Sequence, residues 1–409
     1  MANRERLSAL SLNDFRLFWF GQLISLSGTW MQSVAQAWLI YSLTKSPFYL
    51  GLVAAASSLP ILLFSLPGGI VADRIRKRNL LILTQALSII PALSLGILTG
   101  MNLITVWQVA ILATFLGTVN AFDIPARQAF IIEIVGKENL MNAIALNSAA
   151  FNGARMIGPV MAGIAIAYLG LPACFYLNAL SFLAVIIALS KMKIKGNIQA
   201  NSQGVLRDFK EGIQCIKSNP EIYRIILLIA VFSLIGIPYV TFLPVFAAEV
   251  LRAGPKGYGF LVGATGIGAL SAALFIALRG NIKKEKRYMS IAALCFSLFL
   301  LVFSLSKDFY LSLASLIFVG WGMVSFLATA NSFIQLSVPD GLRGRVMSVY
   351  ALVFLGFAPI GNSLIGALAD SIGTIKAIAF SAIICVVAST LFSVTRTQKT
   401  SLKFSEEEL

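Results

Sequence analysis

The amino-acid sequence predicts an all-α polytopic membrane protein with twelve transmembrane helices in two pseudo-symmetric six-helix bundles. Composition is the first reason. Of the 409 residues, 58% are apolar, 12% are charged and none is histidine, which leaves too little polar surface for a water-soluble globule. Hydropathy is the second: about 20 apolar residues cross a bilayer, and runs of that kind recur along the whole chain. The third is an internal repeat. Gly117, Gly153, Gly158, Gly163 and Gly170 are matched by Gly320, Gly356, Gly361, Gly366 and Gly373 at a constant offset of 203 residues, an offset also kept by Phe130/Phe333 and Val135/Val338. Duplicated halves of a membrane protein commonly enclose a site between them.

The expected spans are 15–41, 48–71, 80–100, 104–124, 139–166 and 171–190 in an N-terminal bundle (1–190), then 223–247, 258–278, 289–306, 309–331, 345–368 and 374–395 in a C-terminal bundle (223–395). Residues 191–222 form a cytoplasmic linker and 396–409 a cytoplasmic tail. Orientation follows from Lys and Arg. Of the 32, all but six fall in the tails and even-numbered loops; Lys45, Arg252, Lys256, Lys307 and Lys376 lie on the other face, and Arg155 lies within a span. Both termini are therefore expected in the cytoplasm. The formal charge of +15 is mostly this topology signal, with some attraction to the headgroups of the lipid bilayer, and nucleic acid is not an expected partner. The start of the chain, with Arg4, Glu5, Arg6 and a first span carrying Gln22, lacks the apolar core and cleavage site of a signal peptide. Cys174, Cys295 and Cys385 fall in spans and Cys215 in a loop; without a C-x-x-C pair or a histidine, no disulfide, metal site or other cofactor is expected.

In span 1, Gln22, Ser25, Thr29, Gln32 and Gln36 recur at spacings of three and four, which places five polar side chains on one helix face. That face should line water. Thr118 and Asn120 in span 4, Asn147 in span 5, Thr241 in span 7, and Ser325 and Thr329 in span 10 complete a mostly uncharged candidate cavity, although each residue alone fits ordinary helix–helix hydrogen bonding equally well. Span 5 reads Gly153-Ala154-Arg155-Met156-Ile157-Gly158-Pro159-Val160-Met161-Ala162-Gly163. Its glycines allow close helix packing, and Pro159 removes a backbone hydrogen bond and favours a kink. Arg155 is costly to bury, so it should face a cavity or a partner. Two readings fit it: a substrate anion, or carbonyls and polar side chains of neighbouring helices. The linker, with Lys191, Lys193, Lys195, Asn197, Asn201, Ser202 and Gly204, leads into a short amphipathic helix. There Leu206, Phe209, Ile213 and Ile216 oppose Arg207, Asp208, Lys210 and Glu211, a pattern that suits a helix lying at the interface. Glu406, Glu407 and Glu408 are expected to be solvated.

The loop after span 2 reads Gly68-Gly69-Ile70-Val71-Ala72-Asp73-Arg74-Ile75-Arg76-Lys77-Arg78. It resembles the cytoplasmic signature of the major facilitator superfamily. Gly69, Asp73, Arg74, Lys77 and Arg78 match, and Arg76 stands where a second glycine is usual. An acid at a helix end can bond the exposed amides of a neighbouring helix N-terminus, so Asp73 and its basic neighbours are read as a conformational latch. A degenerate copy after span 8, Arg279-Gly280-Asn281-Ile282-Lys283-Lys284, lacks Asp-Arg. Span 5 looks like the Gly-Pro motif of superfamily antiporters, with looser spacing; gating and simple packing both account for Gly153, Gly158, Pro159 and Gly163. Phe122-Asp123-Ile124-Pro125-Ala126-Arg127-Gln128-Ala129-Phe130, then Asn142-Ala143, and in the second half Arg343-Gly344-Arg345-Val346-Met347-Ser348, resemble the transmembrane secretion effector branch that contains the bacterial enterobactin exporters. The likeness runs from about residue 10 to 395.

The resemblance implies the superfamily fold, a bacterial inner membrane, a monomer, and a secondary active exporter of small organic molecules, siderophore-like or drug-like amphiphiles. It would work by alternating access with protons as the coupling ion. Proton coupling rests on the resemblance alone, since Asp14 and Asp123 lie near cytoplasmic span ends and Asp370 and Glu249 near the opposite ends, where acids suit latches. A lipid or lysolipid flippase is the alternative, with Arg155 holding a phosphate. An enzyme is not expected, because no activated nucleophile or intramembrane acid pair is present. ATP is not an expected driver, because no G-x-x-x-x-G-K-[ST] loop occurs.

Overall fold

A computed structural model describes residues 8–194, 205–279 and 285–394. The second basic loop at 280–284, the linker residues from Lys195 to Gly204, Arg4 to Arg6 and the acidic tail lie outside the described residues. The spans are Asn13–Thr44, Pro47–Arg74, Lys77–Gly100, Val106–Gly136, Glu138–Leu169 and Leu171–Lys191 in the first half. In the second they are Pro220–Val250, Gly254–Arg279, Glu285–Leu305, Phe309–Ser337, Asp340–Ile372 and Thr374–Val394. Among the described residues, eleven of these helices are long and apolar enough to cross a bilayer by length and composition. Span 1 is the twelfth, and the glutamines in its polar face depress its hydropathy.

Most spans outrun their apolar cores at the ends, and one connection differs in kind. The sequence suggests a loop around 125–138, yet the helix of span 4 continues through Pro125 to Gly136, whose φ of 69° and ψ of 174° break it. Glycine takes that positive φ at little cost. The extension is helical because it has an apolar face: Ala126, Phe130, Ile131, Ile134 and Val135 are buried with Phe15, Phe18, Leu80 and Leu81. Spans 4 and 5 are thus joined by a single-residue bend. Span 7 is interrupted differently, with wide π-helical turns at Phe232–Gly236 and Phe246–Val250 on either side of Tyr239–Val245; Pro238 and Pro244 remove amide donors there, and such turns gather at functional sites.

The repeat reappears as matched contacts. Gly117 of span 4 packs against the Ser57 carbonyl of span 2, and Gly320 of span 10 against the Thr265 carbonyl of span 8. Gly158 of span 5 abuts the Ser27 carbonyl of span 1, as Gly361 of span 11 abuts the Leu234 carbonyl of span 7. Across the halves, Gly163 of span 5 faces Gly259 of span 8, and Gly366 of span 11 faces Gly51 of span 2. Gly170 and Gly373, with φ of 84° and 91°, turn the chain between spans 5 and 6 and between spans 11 and 12. The two halves therefore share these packing contacts as well as the glycine offset.

Connectivity puts the start of span 1, the span 2–3 turn and the end of span 12 on one face, here termed the terminal face; the other is the distal face. Ile111, Leu180, Ile187, Leu298 and Leu391 remain exposed, an apolar exterior suited to lipid tails. The linker helix Val205–Ser218 does more than lie at the interface. Gly212 packs so closely on the Arg345 carbonyl that an added Cβ would sit 2.6 Å from it, and Glu211 forms an ion pair with Arg345. The helix is docked on the start of span 11.

Candidate functional site

A cavity of about 320 Å³ lies between the halves. Its walls come from span 1 (Thr29, Trp30, Gln32, Gln36), span 2 (Leu50, Val53, Ser57), span 4 (Gly117, Asn120), span 7 (Val240, Thr241) and span 8 (Tyr258, Val262). Five expected cavity residues are thus brought together: Thr29, Gln32, Gln36, Asn120 and Thr241. The Thr241 hydroxyl donates to Asn362 Oδ1 at 2.8 Å, and Gln32 Oε1 accepts from Asn178 Nδ2 at 2.7 Å. These partners orient the walls. Gln36 and Asn120 make no hydrogen bond among the described residues, so both amides are available to a guest.

The polar face of span 1 is not continuous with water. Gln22 and Ser25 are buried, and Gln22 accepts from Arg127. Asp123, 2% exposed, accepts from Thr84 at 2.6 Å and Gln85 at 2.9 Å and forms an ion pair with Arg127. The terminal third of the face therefore serves an internal polar cluster of spans 1, 3 and 4. Ser325 is likewise taken up inside the second half, accepting from the Tyr288 hydroxyl at 2.9 Å, and Thr329 is buried beside it. Asn147 is half-buried on span 5 outside the cavity walls, and Thr118 bonds back to the Thr114 carbonyl at 2.9 Å.

The expected latch divides in two. Lys77, 1% exposed, pairs with Glu133 at 2.8 Å, and Arg78 donates to the Ser190 carbonyl at 2.9 Å. Both are clamps within the first half. Arg74 is exposed and Asp73 is half-buried, and Asp73 has no hydrogen bond or ion pair among the described residues. The close helix approach uses Gly68, which meets the Ala121 carbonyl, while Gly69 faces open space. In span 5, Gly153 also faces open space, whereas Gly158 backs on span 1, and Pro159 and Gly163 form the seam with span 8.

On the distal side the halves are sealed together. The Tyr41 hydroxyl donates to Glu249 at 2.5 Å and the Ser46 hydroxyl to Asp370 at 2.7 Å, joining span 1 to span 7 and the span 1–2 turn to span 11. Trp38 stacks on Tyr258 with ring centres 6.1 Å apart. The acids at these span ends were the sequence signal; their partners Tyr41 and Ser46 carried none. The glycine seams of spans 5 and 8 and of spans 2 and 11 lie on the same side of the cavity.

A family model described as transmembrane secretion effector matches residues 5–407. The chain belongs to that family of major facilitator superfamily transporters. The chain is similar to the staphyloferrin A transporter of Staphylococcus aureus, 24% identical over 92% of this chain and 95% of that one. The multidrug efflux pump Tap of Mycolicibacterium fortuitum is 26% identical over 87% and 89%, and macrolide efflux protein A of Streptococcus pyogenes is 21% identical over 88% and 90%. Among solved structures, a nucleoside transporter superposes with a TM-score of 0.72 at 14% identity, covering 93% of this chain and 98% of its own. A POT family transporter superposes at 0.71 and 12% identity, covering 92% and 94%. The transporter is therefore a multi-pass protein of the bacterial inner membrane with the superfamily fold, and its family and relatives are transporters.

Proposed function

We propose that this transporter is a secondary active exporter of small organic amphiphiles, siderophore-like or drug-like, working by alternating access with proton coupling. The observation that carries the reading is the cavity between two halves with matching glycine contacts, sealed on the distal side by contacts that all cross from one half to the other. With both termini in the cytoplasm, this is the inward-facing state, ready to take cargo from the cell. Asp73, set at the terminal face without a partner, is then a latch waiting for the opposite state, in which the terminal ends of the halves close. Gln36, Asn120 and Thr241 offer hydrogen bonds to cargo, and Trp30, Leu50, Val53 and Val262 offer apolar surface, a mixture suited to amphiphiles. For the proton, Glu249 and Asp370 are the acids that bridge the halves. Neutralising either removes a charged acceptor from the distal seal and favours opening outward.

The test uses inverted membrane vesicles containing the full chain, loaded by a respiratory substrate, with a fluorescent amphiphilic cation and a neutral dye as cargo. Uphill accumulation that collapses with an uncoupler is expected. Accumulation that persists without a proton gradient sinks the coupling, and absence of accumulation for every dye that binds the protein sinks the exporter reading.

A further inference from the structure

Arg155 is the basic residue that the sequence places inside a span, and the structure leaves its charge unanswered. Among the described residues its guanidinium makes no hydrogen bond and no ion pair. Its neighbour is the Trp30 ring, with the guanidinium carbon 5.7 Å from the ring centre. A cation at this depth is costly to maintain, and a cation–π contact recovers only part of that cost. The side chain is half-buried, and Trp30, which it contacts, is a wall residue of the cavity. The span 8 backbone presses on the same turn, since a Cβ at Gly266 would lie 2.8 Å from the Arg155 carbonyl; this fixes the arginine against the second half.

A second observation points to the same place. Tyr239 of span 7, about 1% exposed, has its hydroxyl buried without a hydrogen-bond partner, and it lies within electrostatic range of Arg155. Buried hydroxyls are ordinarily satisfied. Tyr239 sits between the two wide turns of span 7, directly before the cavity residues Val240 and Thr241. An unpaired cation from one half and an unpaired phenol from the other thus stand just behind one cavity wall, Arg155 against the wall residue Trp30 and Tyr239 next in the chain to the wall residues Val240 and Thr241.

We infer that Arg155 and Tyr239 form a binding site for a carboxylate on the cargo, which makes the favoured substrates amphiphilic monocarboxylates. The guanidinium fork matches a carboxylate in two parallel hydrogen bonds, and a phenol adds a third donor. One arginine balances one negative charge, whereas a phosphate dianion would leave a net charge in a poorly solvated site. The cavity walls are uncharged and suit an apolar body. Bound in this way, the carboxylate ties span 5 to span 7 across the halves, so its binding differs between the two conformations and biases their equilibrium. The inference rests on the cavity being the cargo site.

The test follows thermal unfolding of the purified full chain in nanodiscs with 1-naphthaleneacetate, its uncharged amide, and 1-oleoyl lysophosphatidate. The acetate is expected to raise the Tm of the wild type and the amide to leave it unchanged. Arg155→Met loses the shift, and Arg155→Lys and Tyr239→Phe need at least tenfold more acetate for the same shift. Where Arg155→Met does not fold, the other two variants carry the test. Equal shifts in wild type and a folded Arg155→Met, no shift in the wild type, or a larger shift with lysophosphatidate, which would assign the site to a lipid headgroup, each overturn the inference. Neutral-dye export separates it from the exporter reading. Dye export that continues while acetate neither binds nor competes ends this inference alone; an Arg155-dependent acetate shift without any export ends the exporter reading alone.

Discussion

Replacing Gly259 by alanine should unseat the distal seal. A Cβ at this position would lie 2.5 Å from the Pro159 carbonyl oxygen and 2.8 Å from the Gly163 Cα. Ordinary contact between such atoms begins at roughly 3.5 Å, so spans 5 and 8 must separate by roughly 1 Å. Both obstacles are backbone and cannot rotate aside. Overpacking of this kind costs about 1–3 kcal/mol, and here the cost falls on the distally closed state alone, because the clash exists only while the halves meet. An equilibrium between two states shifts by roughly 5- to 150-fold for that range. The assay is the distance distribution between spin labels at Met101 and Tyr310, exposed positions at the distal ends of the two halves, in a variant whose native cysteines are replaced. Gly259→Ala should add or enlarge a long-distance population. Gly320→Ala is the control: its Cβ would strike the Thr265 carbonyl within the second half, which lowers stability without changing the distances. A folded Gly259→Ala variant with the wild-type distribution would refute the claim that this seam holds the state.

Other outcomes follow from the site. Lys77→Met breaks the largely buried ion pair with Glu133 and should lower unfolding stability by about 1–3 kcal/mol, whereas Arg74→Ala, at an exposed position, should stay within about 0.5 kcal/mol; thermal unfolding in detergent compares them. Asp73→Asn should leave cargo affinity and the stability of the distally closed form unchanged while slowing turnover, and equal loss of affinity and turnover would remove the latch role. Burial pushes the Cys215 thiol up from its ordinary value, which depletes the reactive thiolate at neutral pH. Its maleimide labelling should therefore be slower than that of a free thiol at pH 7.5 and keep rising beyond the pH where the free thiol levels off; a plateau at the ordinary thiol value would contradict that environment.

The spans, the duplication and the family are legible in the sequence because each rests on a property the residues carry by themselves: hydropathy, a fixed offset, a short motif. The site is legible only in part. Gln22 and Gln36 look alike in the pattern of span 1, since a helix face serving an internal hydrogen-bond cluster needs the same polar residue types as one lining water. What separates them is the partner, Arg127 for Gln22 and none among the described residues for Gln36, and Arg127 is 105 residues away. Lys77 reads as one more positive charge at a loop, yet it is buried because Glu133 rides on a helical extension concealed by Pro125. Tyr239 gave no signal among the aromatic residues of an apolar span, and its interest comes from the missing partner of its hydroxyl. Pro238 and Pro244 are the local marks that span 7 is irregular there.

The crossed glycine seams have the geometry of an isologous dimer: the patch that span 5 offers to span 8 is the patch that span 11 offers to span 2. Two separate copies of one six-helix unit would be bound to place every residue twice about the axis, arginine included, and two like charges would then confront each other at mid-membrane. A single covalent chain is released from that rule. Ala358 occupies the position equivalent to Arg155, so fusion keeps the shared hinge surfaces symmetric while allowing one unmatched charge, and with it a cargo held in one orientation.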